Sequence, residues 1–329
     1  MLLPLLFACR HTDEIPRLGL VDGRWQRVGG LRARSRGWQE VRFHYDTPAL
    51  PDIGWIDAER RTGSSDHVAV SVHLSSGPDD LRFVVDTGAE HTSITKAAWS
   101  RLGLPDGAWY ALDADVRGFC GGQPARMSSF DRMTLGPMEV TPTWPMYVLD
   151  VPFVLDGLLG APAWAKGVFA IDVTGRRVRF SVPDDVVEPW RPEWIPLEPD
   201  ESTPTAMATM QGRSVRAQID TGAEGSSVSR ELAASLGLAL GDAASSSGVG
   251  GKCTAPSVAC PAAIDIGPAR LTPAVCKAHR PSTANSPEVN VGLDALKEHV
   301  LLLDRERHRM ALVPRARVDV APPVSPDPT

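Results

Sequence analysis

Two aspartates carry the chemistry most legible in this sequence: Asp86 in Asp86-Thr87-Gly88-Ala89, and Asp220 in Asp220-Thr221-Gly222-Ala223. Each follows a short apolar run of β type, which places each carboxyl on a tight turn just past a strand. Two carboxylates about 3 Å apart cannot both ionise, so such a pair shares one proton and titrates as a unit. One member then acts as base towards a water and the other as acid towards a carbonyl oxygen. That chemistry requires both residues at one place, although 134 positions separate them.

What brings them together is a repeat. From Asp86 to Leu104 and from Asp220 to Leu238, nine of nineteen aligned positions are identical, and changes such as Thr92 to Ser226 and Ile94 to Val228 are mild. The correspondence continues in order. Gly118-Phe119-Cys120-Gly121-Gly122 matches Gly248-Val249-Gly250-Gly251 with one residue dropped, and Leu135-Gly136-Pro137 matches Ile266-Gly267-Pro268. Leu158-Leu159-Gly160 then matches Asn290-Val291-Gly292, and Ile171-Asp172 matches Leu303-Asp304. Landmarks that keep their order and spacing indicate a duplicated fold rather than a duplicated motif.

The pattern inside each copy predicts the positioning elements. His67 to Leu74 and Leu81 to Val85 form a hairpin that delivers Asp86, and Thr205 to Met210 with Val215 to Ile219 does the same for Asp220. A short helix follows each aspartate, over Thr95 to Leu102 and Ser229 to Leu236, closed by Gly103 and Gly237. The Gly-rich stretches become flexible hairpin tips. The predicted organisation is a segment 1–9, an extension 10–60 with one or two extra strands, a first lobe 61–183, a Pro- and acid-rich linker 184–204, a second lobe 205–316 and a disordered tail 317–329.

Asp-Thr-Gly-Ala after an apolar strand, a Gly-rich hairpin and an apolar-apolar-Gly before a last helix and strand resemble the retropepsin family of aspartic peptidases, over about 115 residues in each copy. The resemblance implies a mainly β protein of two tandem retropepsin-like β-barrel lobes related by a pseudo-two-fold axis, with few short helices. It implies an aspartic endopeptidase, a monomer containing its own pseudo-dimer, acting on a polypeptide with no cofactor. Asp86 and Asp220 become the catalytic pair, with the Thr87 and Thr221 hydroxyls bracing the two loops and Gly88 and Gly222 permitting the turns. Gly118, Phe119, Gly121 and Gly122, with Gly248, Val249, Gly250 and Gly251, become flaps closing on an extended peptide. Leu158, Leu159 and Gly160, with Asn290, Val291 and Gly292, support the loops; Asn290 departs from the apolar pattern and is expected to alter the second lobe's support. Ala89 and Ala223 stand where pepsin-like relatives commonly carry a hydroxyl donor, which predicts a higher dyad pKa and a mildly acid optimum. The competing readings are a non-catalytic peptide-binding or scaffold lipoprotein of the cell envelope, and a site formed between two chains.

Composition is compatible with this. A hydrophobic fraction of 43% with 22% charged residues is that of a globular protein, and a net charge of −6 without a basic run gives no purchase on nucleic acid. No HExxH, GxSxG or P-loop spacing occurs, so no metal or cofactor site is expected there. The Trp residues, among them Trp144, Trp164, Trp190 and Trp194, read as core rather than as a ligand platform.

The cysteines suggest a compartment. Met1 to Cys9 is apolar, ends Leu6-Phe7-Ala8-Cys9, and is similar to the end of a bacterial lipoprotein signal. Lipidation of Cys9 would anchor the protein at the cell envelope; an ordinary core cysteine on an N-terminal strand is the other reading. The remaining four are compatible with disulfides in an oxidising compartment. Cys260 and Cys276 flank the Pro268 turn symmetrically and are predicted to bond on paired strands. A zinc site of Cys253, Cys260, Cys276 and His279 has too wide a first gap. Cys120 and Cys253 fall near the two hairpin tips; a bond there would restrict substrate entry and is not the arrangement expected.

Overall fold

The computed structural model describes residues 26–28, 31–35, 41–45, 49–58, 66–75, 77, 80–104, 110–128, 130, 132–140, 146–151, 155–199, 203–260, 263–280 and 286–320, with side chains throughout except in 26–45, 110–114 and at 320. Cys9, Trp144 and the tail 321–329 lie outside these residues.

The duplicated sequence gives duplicated sheets. In the first lobe nine strands lie in the order Met138–Val140, Met133–Leu135, Ala69–Leu74, Asp80–Val85, Gly157–Leu159, Ser93–Thr95, Met146–Leu149, Gly121–Ser128 and Tyr110–Gly118. The second lobe repeats that order as Ala269–Leu271, Ile264–Ile266, Thr205–Met210, Arg213–Ile219, Val289–Val291, Ser226–Ser229, Cys276–His279, Gly251–Val258 and Leu240–Gly248. The fold is mainly β with short helices, as predicted. Each ladder ends on two separate edge strands, so among the described residues neither nine-stranded sheet closes on itself through hydrogen bonds.

The alternation of buried and partly buried residues explains the strands. Ala69–Leu74 and Asp80–Val85 turn Val70, Val72, Leu74, Leu81, Phe83 and Val85 into a core continuous with Ala206, Ala208, Val215, Ala217 and Ile219 of the second lobe. The two short helices begin alike. Thr95 caps Lys96–Arg101 by accepting from the Ala98 N–H, and Ser229 caps Arg230–Ser235 by accepting from the Leu232 N–H. Gly103 and Gly237, at φ 70° and 67°, end them in the left-handed conformation that glycine adopts without strain.

The lobes share a third layer. Val168–Asp172 pairs antiparallel with His299–Asp304, so the last hairpin of each copy joins one six-stranded sheet. Asp172 and Asp304, both buried, are neutralised alike: Arg177 and Arg315 reach Asp172, and Arg307 and Arg309 reach Asp304. Such pairs compensate the burial of the carboxyls and fix the hairpin corners.

Three expectations change here. Residues 184–204 are not a bare linker: Asp184–Val187, Glu188–Trp190 and Ile195–Pro196 are ordered elements, and Val186, Val187 and Trp190 are buried against the shared sheet. The Pro and acidic content that suggested a connector instead begins these short turns, with Pro183 and Pro189 at their starts and Asp184, Asp185 and Glu188 in their first turns. The extension holds three strands, Gln26–Val28, Leu31–Ser35 and Val41–Tyr45, in a sheet of their own, and Ile56–Asp57 adds to the shared sheet. Residues 317–320 are helical within Arg315–Val320, because Val318 has the shared sheet to pack on. Trp164 and Trp190 are core residues, and Trp194 lies under the Arg309 guanidinium, 4.1 Å from its ring centroid.

Candidate active site

Each aspartate loop is fastened to its own lobe by the same set of bonds. The Asp86 N–H donates to the Leu159 carbonyl at 3.0 Å and the Asp220 N–H to the Val291 carbonyl at 2.9 Å. The Gly160 N–H donates to Thr92 Oγ1 and the Gly292 N–H to Ser226 Oγ, each at 3.1 Å. Ala161 and Leu293 N–H groups then reach the Ala89 and Ala223 carbonyls. A Cβ on Gly160 or Gly292 would strike the backbone of His91 or Gly225, so glycine is required by close approach. The apolar-apolar-Gly landmarks are therefore the struts of the two loops.

Across the lobe boundary the loops are cross-braced. The Thr87 N–H donates to Thr221 Oγ1 at 3.1 Å, and the Thr221 N–H donates to Thr87 Oγ1 at 3.0 Å. The hydroxyls themselves donate onward, Thr87 to the Ile219 carbonyl at 2.8 Å and Thr221 to the Val85 carbonyl at 2.6 Å. Both residues are fully buried, so every one of these polar groups needs its partner. His67 adds a bond that sequence reading missed, from Nε2 to the Gly222 carbonyl at 2.9 Å. Nothing in the His67 context distinguishes it from an ordinary strand residue.

The brace sets the two carboxyls face to face. A Cβ on Gly88 would lie 2.5 Å from Asp220 Cγ, and one on Gly222 would strike Asp86 Cγ. Each glycine thus leaves room for the carboxyl of the opposite lobe, a second role beyond the turn.

The pair is not symmetric. Burial, then the charge of Asp220, then a hydrogen bond shared with it push the Asp86 carboxyl well above the usual carboxylate range; the N–H groups of Gly88 and Ala89 oppose this less strongly. Asp86 Oδ1 is buried without a hydrogen-bond partner among the described residues. Asp220 Oδ1 accepts from the Gly222 N–H at 2.9 Å, and Oδ2 accepts from Asn290 Nδ2 at 2.7 Å. Leu158 holds the corresponding place in the first lobe and carries no donor. The expectation that Asn290 alters the loop support is replaced: its backbone pairs as Leu158 does, and its amide adds a direct bond to the dyad.

Tyr110–Gly118 with Gly121–Ser128 and Leu240–Gly248 with Gly251–Val258 form two long hairpins, the segments expected to act as flaps. Phe119 and Val249 lie at the tips, Gly121, Gly250 and Gly251 having the positive φ that the turns require. The bond left out of the expected arrangement is present: Cys120 and Cys253 form a disulfide joining the two tips, Cα to Cα 5.4 Å. Their nearness in space follows from the pseudo-two-fold axis between the tips, which sequence spacing does not display. Cys260 and Cys276 are also bonded, but not across the Pro268 hairpin: Val258 pairs with Cys276, so this bond ties the base of the second flap to the neighbouring strand. The three cysteines of the zinc set are thereby divided between two disulfides.

His91 lies buried near the first loop, edge-on to Tyr147 with ring centroids 4.8 Å apart, and burial pushes it down to about 3. It stays neutral above that pH. A family model described as aspartyl protease matches the chain twice, over residues 70–163 and 206–295, once per lobe. No curated protein matches the chain significantly. With more than half its length so matched, and an aspartate loop at the same place in each match, the chain belongs to the aspartyl protease family.

Proposed function

We propose that the protein is an aspartic endopeptidase that hydrolyses peptide bonds at a single site shared by Asp86 and Asp220. The observation that carries this reading is the facing carboxyls with unequal surroundings, Asp86 pushed towards its protonated form and Asp220 accepting two N–H donors. A binding module gains nothing from two repelling, partly buried carboxyls, whereas a water-activating site needs them.

In this reading Asp220 is the base. It takes a proton from a water as the oxygen attacks the scissile carbonyl carbon, while Asp86 gives its proton to the carbonyl oxygen, leaving a neutral tetrahedral diol. Collapse returns a hydroxyl proton to Asp86, moves the proton on Asp220 to the amide nitrogen, and breaks the C–N bond. The dyad ends as it began. The Thr87–Thr221 brace holds the carboxyls at a fixed separation, so little reorganisation is needed during the reaction. The substrate is an extended polypeptide lying between flaps and dyad. The pseudo-two-fold pairing within one chain supports a monomeric enzyme. The two disulfides support an oxidising, extracytoplasmic compartment, and with it attachment at the cell envelope through Cys9.

The test is cleavage of a diverse peptide library by the purified protein from acid to neutral pH, with and without pepstatin. Defined cleavage sites that disappear with the inhibitor support the reading. A folded protein that binds peptides and cuts none of them at any pH overturns it in favour of a binding role.

A further inference from the structure

The flap tips are joined covalently, and they also interlock. Val249 of the second flap packs against the first-lobe cluster of Ala125, Met127, Tyr147 and Leu149, while the Phe119 ring of the first flap lies 6.3 Å from the ring of His279 in the second lobe. A Cβ on Gly118 would lie 2.9 Å from Val249 Cβ, and one on Gly250 would lie 2.6 Å from the Cys120 carbonyl oxygen. The tips therefore meet with backbone against backbone, and Cys120–Cys253 locks them there.

Follow the chain from Cys120. It runs down Gly121–Ser128 into the first lobe, through residues 183–204 and the Asp220 loop, and up Leu240–Gly248 to the turn before Cys253. The disulfide closes residues 120–253 into a covalent ring that includes Asp220; Asp86 lies outside it and is held to it by the threonine brace. On the far side the lobes are held by the threonine brace and the six-stranded sheet. Thermal motion can bend the flaps, but it cannot part their tips.

We infer that substrate reaches the dyad only end-first, as a free chain terminus or a short linear peptide threaded through this ring, and that internal loops of folded proteins are excluded while Cys120–Cys253 is intact. This rests on the peptidase reading and names its substrate class. A loop would have to enter sideways as two connected strands, which requires the tips to separate. A terminus requires only the width of one extended chain. Cys120 and Cys253 are thus specificity-determining residues that need not touch the reacting atoms.

The experiment compares a linear peptide containing a cleavage site with its head-to-tail cyclised form, in a ring large enough to be nearly as flexible as the linear chain. A non-reducing peptide map first verifies the Cys120–Cys253 bond. The disulfide-bonded protein is expected to cut the linear form with kcat/KM at least about tenfold above the cyclic form. In Cys120→Ser/Cys253→Ser the ratio is expected to fall close to unity, because the tips can part. Equal cleavage of both peptides by the bonded wild-type protein overturns the inference and leaves the peptidase reading standing, and needs no variant to fold. Retention of the full ratio in the double variant overturns it as well. Cleavage of neither peptide by either form overturns the peptidase reading, and the inference with it.

Discussion

Asn290 Nδ2 donates to Asp220 Oδ2 at 2.7 Å, whereas Leu158, its counterpart in the first lobe, has nothing to offer Asp86. The two halves of this duplicated chain are thus equivalent in backbone and unequal in chemistry. Asp220 has an amide donor that Asp86 lacks, while desolvation and the neighbouring charge push Asp86 towards the acid. In the proposed mechanism this one substitution between the copies distinguishes the base in one lobe from the acid in the other.

Replacing Asn290 by leucine, the residue of the first lobe, should therefore lower kcat by about tenfold to a hundredfold, the range expected for losing a charge-assisted hydrogen bond of about 1.5–3 kcal/mol. KM should change much less, because the bond acts on the reacting carboxylate and not on the peptide. Steady-state kinetics separate the two. A raised KM with kcat intact would make Asn290 a subsite residue instead.

The raised pKa of Asp86 has a sign that melting can read. Its folded value lies above the ordinary 3.8, so the folded protein holds this proton more tightly than the unfolded chain does. The stability it contributes is present in full below the unfolded value and is lost as pH rises through the folded one. Asp86→Asn cannot ionise and should melt above wild type at neutral pH, the difference vanishing below the unfolded value. The activity of the wild type should fall through the same upper pH range as Asp86 loses its proton; His91, neutral above about 3, does not contribute there. Equal melting temperatures at neutral pH contradict this prediction.

Thr221→Val removes a hydroxyl that accepts from the Thr87 N–H and donates to the Val85 carbonyl, both buried. The loss should be about 2–4 kcal/mol of unfolding free energy by denaturant titration. Because Thr87→Val breaks the same unit from the other side, the double variant should lose less than the sum, with a coupling of about 1–3 kcal/mol. Simple additivity would mean that the lobes are not braced here.

Gly222→Ala places a methyl group against the Asp86 carboxyl, and Gly88→Ala places one against Asp220. Each should reduce kcat/KM by at least about a hundredfold, since a displacement of about 1 Å at the reacting groups has that effect. Circular dichroism should show both folded. Near-normal activity of either alanine variant would mean that the carboxyls do not face each other as described.

Much of this was legible in the sequence because duplication turns weak local signals into paired ones. Asp-Thr-Gly-Ala, the flap glycines and apolar-apolar-Gly each recur at matching places, and the structure puts each pair about one axis. The strands around Asp86 and Asp220 and the helices capped by Thr95 and Ser229 follow from alternation and capping chemistry that a sequence displays. Contacts across the axis were less accessible. The Cys120–Cys253 bond, the His67–Gly222 bond and the reach of Asn290 to Asp220 depend on how lobes or strands face one another, and no local period reports that. Residues 184–204 misled for a related reason: Pro and acidic residues mark turns, and here the turns are packed against a sheet formed by strands distant in sequence.

The central claim is that one site is shared between the lobes, and a double-substitution cycle tests it most directly. Measured as kcat/KM on one linear peptide, Asp86→Asn and Asp220→Asn should each lower activity by about a thousandfold or more, and the double variant should be no worse than the poorer single one, because residues acting as a unit are not additive. Losses that multiply in the double variant, or full activity surviving either single substitution, would mean that the two aspartates do not work together.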